Sequence, residues 1–295
     1  MTVYVPEILR TDKDGFCHLG RLWNDVKDAE GRVTFNFDQC KQIDANLAAA
    51  LGAMLDRLLF SGRDPYITYP KSIGAKRALA RIGFFKAFNM PTDTEEREQY
   101  IRYRRFSVDQ ETDFKEYIHE DLIQKRRFPH CTVEAERKII ESIYEIFANA
   151  VTHSGCQMVY CCGESHTRMG RPMLDMAIVN MGRTIPDNVN EYLVNTFESP
   201  RSPCECVEWA FQKGNTTKMM PGGLGLDILK EFITANEGKI QMVSGFAMMD
   251  FSAGDFTFHK LNYHFPGTIV NVVFNCADNK SYSWADEVTD LQDLF

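Results

Sequence analysis

Glu145, Asn149 and His153 follow one another at four-residue steps in EIFANAVTHSG, residues 145–155. On a helix that spacing sets the three side chains in one row. A carboxylate in such a row can orient or deprotonate water. An amide oxygen can ligate Mg²⁺, a hard cation that keeps its waters and takes few protein ligands. Asparagine is otherwise a poor helix-interior residue, because its amide competes for backbone hydrogen bonds. A second group is the glycine run of KGNTTKMMPGGLGLDILKEF, where Gly222, Gly223 and Gly225 open a helix. A helix N-terminus offers unpaired N–H groups and the positive end of the dipole, which suits phosphate, and glycine lets the backbone approach closely. The run is not a dinucleotide fingerprint: no strand immediately precedes it, and Ile228 stands where a third glycine would fall. No Gly-Lys-Ser/Thr follows, so it is not a Walker A loop either. Taken singly, the Glu–Asn pair also fits the polar flank of a buried stripe, and the glycines also fit a turn.

These residues need a scaffold, and the hydrophobic pattern supplies one. Thr132 is a good N-cap for a long helix, with Glu134 and Glu136 in its first turn. Ile139, Ile140, Ile143, Ile146, Phe147 and Ala150 form its buried stripe. Strands are predicted at MVYCCGE, MLDMAIVNM, KIQMVSG and TIVNVVFN, and a helix runs from the glycines to Gly238. Between them, 183–222 is irregular and rich in Pro, Gly, Ser and Thr, too long for a plain connection. It reads as a lid or as partly helical, with CVEWAF one such helix. Earlier, RVTFNFDQC alternates as a strand. Leu47, Leu51, Met54, Leu55, Leu58 and Leu59 then fall at helical spacing, with Gly62 as the stop. PYITYP reads as a strand and KSIGAKRALARIGFF as a helix, giving a small α/β layer. Residues 89–99 read as a linker, YIRYRRFSV as a strand, and DFKEYIHEDLIQKRRFP as a helix ended by Pro129.

The chain has 295 residues, formal net charge -8 and 44% hydrophobic residues, ordinary for a globular protein of two domains. The negative balance argues against general nucleic-acid binding. The basic QKRRFPH, 124–130, is read as a solvated helix end. The nine cysteines contain no C-x-x-C pair, so a structural zinc site is not expected. No basic-then-apolar leader and no membrane-length apolar run occur. The expectation is therefore a reducing cytoplasm with free thiols and no membrane partner. The tail SYSWADEVTDLQDLF is acidic. Trp284, Val288, Leu291 and Phe295 fall at helical spacing in it, as a final docked helix or as a docking peptide or dimer contact.

In order and spacing, EIFANAVTHSG, MAIVNMGRTIP, AFQKGNTTKMMPGGLGLDI and FPGTIVNVVF resemble the nucleotide-binding boxes of the GHKL superfamily. That group includes gyrase-type ATPases, MutL proteins, heat-shock chaperones, sensor histidine kinases and anti-sigma-factor serine kinases. The resemblance spans roughly 130–278 and implies ATP and Mg²⁺ as ligands. It implies that Asn149 holds the Mg²⁺ and that Glu145 activates the attacking water or hydroxyl. Gly182 would let the backbone pass close to adenine, and Thr268 would sit near the base. Thr216, Thr217 and Lys218 would belong to an ATP lid, while Gly222, Gly223, Gly225 and Leu226 would frame the triphosphate. His153 matches a position where kinases of the group carry a polar or basic side chain near phosphate; a surface helix end accounts for it equally. The family pattern Asp-x-Gly-x-Gly is here Asn180-Met181-Gly182-Arg183-Thr184. An Asn oxygen can accept from the adenine amino group only as a neutral partner, and charge-assisted bonds are stronger. Altered base recognition is expected.

The segment VTFNFDQCKQIDANLAAALGAMLDRLLFSGRDPYITYP resembles the STAS fold of anti-sigma-factor antagonists. Asn46 stands where those proteins often carry a phosphorylatable serine, which implies a fixed docking module instead of a phosphoswitch. The expected architecture is thus α/β in two domains. A STAS-like interaction domain would occupy 1–100. A GHKL (Bergerat) α/β sandwich, with a mixed sheet and helices on one face, would occupy 101–278, and the acidic tail 279–295. Three functions follow from the resemblance: an ATPase whose nucleotide state moves a partner, a serine or histidine kinase of the partner-switch kind, or a nucleotide-binding scaffold. Glu145 favours catalysis. His119 in YIHEDL lies too close to Glu145 for a separate phosphoacceptor hairpin. Only the tail follows Asp278, so no gyrase- or MutL-type transducer is expected, and turnover should be slow unless a partner or a second copy completes the site.

Overall fold

The computed structural model describes residues 1–92, 100–125, 128–168, 170–212, 215, 224–277 and 280–283. The first part contains β1 (Thr2–Tyr4), β2 (Ile8–Leu9), α1 (Lys13–Val26), β3 (Arg32–Asn36), β4 (Gln42–Ile43), α2 (Ala48–Phe60), β5 (Asp64–Ile67), α3 (Ile73–Arg81) and α4 (Phe84–Ala87). Then come β6 (Tyr100–Ser107), α5 (Glu111–Ile118), β7 (His130–Cys131), α6 (Val133–Ser154), β8 (Met158–Arg168) and β9 (Arg171–Met181). The chain continues through α7 (Ile185–Asn195), α8 (Pro203–Phe211), α9 (Leu224–Ala235), β10 (Lys239–Ser252), β11 (Asp255–Asn275) and β12 (Ser281–Tyr282).

The fold is mixed α/β. β1, β3 and β5 form a parallel sheet in the order β1-β3-β5. The larger sheet runs β10-β11-β9-β8-β6, and every described ladder in it is antiparallel. The mixed sheet expected for 101–278 is therefore corrected to an antiparallel one. β8–β9 and β10–β11 are hairpins, whose short connections can only join antiparallel neighbours.

Within 101–278, α5, α6, α8 and α9 pack on one face of this sheet, and the helices on its other face come from 1–100. Val159, Cys161, Leu174, Met176, Ile178, Val270 and Val272 pack with α5, α6 and α9 on one side of the sheet. Their alternates Tyr160, Cys162, Ala177, Val179, Met181 and Ile269 pack on the other side, in one cluster with the buried residues of α1 and α2. Unbroken apolar runs such as those in β8 and β9 are what a strand covered on both faces requires. The small parallel sheet and its helices are thus built onto the back of the large sheet, and buried side chains run continuously across residue 100.

Two glycines make that layering close. A Cβ at Gly20 in α1 would lie 2.9 Å from the Cβ of Tyr263 in β11, and one at Gly52 in α2 would lie 1.9 Å from the hydroxyl of Tyr103. At Asn46, just before α2, the side chain is fully buried. It accepts from the Thr11 hydroxyl at 2.9 Å and donates to Asn271 Oδ1 on β11 at 2.7 Å. Asn271 donates to Gln241, and Gln241 to Asp250, so one polar chain crosses from the N-terminal layer into the sheet.

The segment from 183 contains two capped helices. Thr184 and Asp187 form a capping box for α7, and Ser202 and Glu205 form one for α8, each with a proline in the first turn. The helix expected over 113–129 is α-helical to Ile118 and π-helical over His119–Ile123, and Asp121 within it is buried and paired with Arg102. β12 pairs with β7, and Tyr282 packs on Phe232. The rest of the tail, including Trp284, Val288, Leu291 and Phe295, lies outside the described residues.

Candidate functional site

α6 carries the Glu145–Asn149–His153 row. Thr132 caps it, its hydroxyl accepting from Ala135 N at 3.2 Å, and Gly155 ends it in the left-handed conformation at φ 63°. Ile139, Ile143, Phe147 and Ala150 face the sheet. Glu145, Asn149 and His153 lie half-buried along the helix flank.

The end of α6 is fastened to the turn after β9. Arg183 N donates to Ser154 O at 2.8 Å, and Asn188 donates to His153 O at 3.0 Å. Gly182 makes this contact feasible, because a Cβ there would sit 2.3 Å from Ser154 O. Close approach at Gly182 is thus to the α6 backbone.

Asn180 and Thr268 are direct partners across β9 and β11. Side chains alternate along a strand, so Asn180 shares a face with Met176 and Ile178, and Thr268 with Val270 and Val272. That is the face covered by α6 and α9. Gly267 lets the strands meet here: its φ is +151°, and a Cβ would lie 2.0 Å from Asn180 O. Thr268 Oγ1 and Ser244 Oγ are 2.9 Å apart. Ser244 also donates to Gly267 O and accepts from Ile185 N, both at 2.9 Å. Ser244 has one proton and Gly267 O can only accept, so Thr268 is the donor to Ser244 and keeps its lone pairs for another group. Asn180 is 5% exposed, and its amide Nδ2 is buried with no hydrogen-bond partner. An orphaned buried donor costs about 1–3 kcal/mol, which makes this amide the most telling feature of the face.

Gly225 lies in the first turn of α9, and Leu226 packs half-buried against the α6 cluster. Thr216, Thr217, Lys218, Gly222 and Gly223 lie outside the described residues. The structure therefore brings Glu145, Asn149, His153, Asn180, Gly182, Leu226 and Thr268 to one side of the sheet. Ser244, which orients Thr268, was not among the sequence candidates; its signal was only a serine in an otherwise apolar strand. Two open hollows lie elsewhere: one is lined by Arg57, Phe60 and Gln157, the other by Arg183, Asp187, Phe246 and His264.

The back of the sheet holds a different polar group. Glu164 and Asp175 are direct cross-strand partners, and Ala45 N donates to Glu164 Oε1 at 2.7 Å. Burial, with Asp44 adding repulsion, raises the Glu164 carboxyl to about 7 against the pull of the Ala45 bond. Burial, then Glu164 and Asp44, holds Asp175 well above the usual carboxylate range. His166 Nδ1 lies 3.7 Å from Asp175 Oδ1, and burial lowers the imidazole. Sequence reading did not single out this group, because its residues become neighbours only through the hairpin and the docked layer.

No family model matches the chain, and no curated protein is detectably similar to it. Among the described residues, no helix is long and apolar enough to cross a membrane.

Proposed function

We propose that this chain is an ATP-binding regulatory protein with a GHKL-type site whose nucleotide state controls a partner protein. The observation that carries the reading is the pairing of Asn180 with Thr268 under α6, with the Asn180 amide donor left for a ligand to satisfy. A purine edge with adjacent donors and acceptors fits that pair. Asn149, one turn beyond Glu145, offers an amide oxygen to Mg²⁺. Among the described residues, no group of three or more His, Cys, Asp or Glu could hold a metal alone. An ion that arrives with phosphate oxygens and needs few protein ligands suits such a site.

When bound, Mg²⁺-ATP supplies the phosphoanhydride to be cleaved or transferred. Glu145 orients a water or hydroxyl and takes its proton. His153 offers a donor toward phosphate. The resemblance would assign Thr216, Thr217, Lys218, Gly222, Gly223 and Gly225 to a lid and to phosphate-facing backbone; of these, only Gly225 lies among the described residues. The N-terminal STAS-like layer, 1–100, is the partner-facing module of a cytoplasmic protein, and Asn46 locks it instead of switching it. Coupling runs through the sheet: Asn180 and Thr268 face the nucleotide, while their neighbours Val179 and Ile269 pack in the cluster shared with α1 and α2.

Phosphate release by the purified protein with Mg²⁺ and ATP tests the catalytic half. Glu145→Ala should keep nucleotide affinity and lose at least about 100-fold in turnover. Turnover at the parent rate would assign the base elsewhere.

A further inference from the structure

Asn180 carries more than a substitution for an acidic residue. A carboxylate there could only accept hydrogen bonds, whereas an amide presents an acceptor and two donors side by side. Thr268 adds lone pairs, its proton being committed to Ser244. The 180° rotation of the amide about its last torsion exchanges oxygen and NH₂ without moving the strand. One orientation matches an edge with an amino donor beside a ring acceptor, as in adenine N6 and N1 or N7. The other matches a carbonyl acceptor beside a ring N–H, as in O6 and N1 of a 6-oxopurine. The buried, unpartnered Nδ2 needs an acceptor from the ligand, and O6 is one that a carboxylate at this position would repel.

We propose, resting on the nucleotide reading above, that Asn180 makes the base pocket accept 6-oxopurine as well as 6-aminopurine triphosphates. Selectivity between the two is then low by construction, and one residue sets it. Polar mismatches at a site built to hydrogen-bond are discriminated strongly, while matched edges are not. A bidentate amide–base pair contributes about 1–3 kcal/mol, or about 5- to 150-fold.

Displacement of a fluorescent ATP analogue from the full chain by ATP, ITP and GTP, with Mg²⁺ present, tests the proposal. ITP carries O6 and N1–H without the 2-amino group, so it isolates the edge in question. The expected result is ITP affinity within about tenfold of ATP for the parent. In Asn180→Asp, ITP should weaken relative to ATP by at least about tenfold. ATP binding with ITP more than about 100-fold weaker in the parent would overturn the proposal and leave the ATP site standing. An unchanged ratio in a folded Asn180→Asp would overturn it too. Failure of every nucleotide to bind would overturn both. The parent comparison needs no variant, so it decides even if a carboxylate at this buried position prevents folding.

Discussion

Replacing Glu164 with glutamine should stabilise the protein, and more so as the pH rises. In the folded chain the Glu164 carboxyl titrates at about 7, against an ordinary 4.5. The folded state therefore holds a proton over pH 4.5–7 that the unfolded chain has released. Stability falls wherever the native state binds more protons, so this residue removes stability as the pH climbs from 4.5 and stops removing it above about 7. The integrated penalty is about 3 kcal/mol at pH 8. Glutamine keeps an oxygen to accept the Ala45 N–H bond, carries no charge to bury beside Asp44 and Asp175, and adds donors toward them. Part of the penalty remains as the cost of burying an amide, so the expected gain is ~1–3 kcal/mol at pH 8 and close to zero at pH 4.5. Urea midpoints of the parent and Glu164→Gln at four or five pH values across this range give the difference directly. The reasoning is refuted if the gap is independent of pH, or if the variant is the less stable protein at pH 8.

Two other substitutions probe the scaffold. Asn46→Ala orphans the Thr11 hydroxyl and Asn271 Oδ1 at the layer junction. It should cost about 2–3 kcal/mol in denaturant titration; a loss below half a kilocalorie, as for an ordinary surface change, would mean the polar chain does not hold the layers. Gly182→Ala forces a methyl against Ser154 O. It should lower stability by about 1–3 kcal/mol and weaken nucleotide binding, because the end of α6 must move off the sheet; equilibrium unfolding and a nucleotide titration check both effects.

Local signals made much of this structure legible. Thr132 with its two glutamates fixes the start of α6, and Gly155 fixes its end. The leucine spacing of α2 and the alternation of β3 are also local. α1 is the instructive miss. No element was expected over 13–26, although Asp12 caps the helix and Phe16, Leu19, Leu22 and Val26 are buried at helical spacing; Gly15 and Gly20 within it lower helix propensity. Both are there because α1 lies too close to Arg10 and Tyr263 for a side chain. The outer part of the β10–β11 hairpin was also not expected: Phe256 and Phe258 alternate with polar residues after a tight turn at Ala253–Gly254, and pair with Phe251 and Met249 before it. At the site, residue types along α6 and the Asn180–Gly182 turn were readable. The Ser244–Thr268 bond and the orphaned Asn180 amide were not, since both depend on which strands become neighbours.

Isothermal titration calorimetry of the parent and Asn149→Ala with ATP in the presence of Mg²⁺ tests the central claim most directly. The expected outcome is one saturable site in the parent and no measurable binding in Asn149→Ala, with the two proteins melting alike. Unchanged affinity in Asn149→Ala, or no binding by the parent, would contradict the assignment of this face as a nucleotide site.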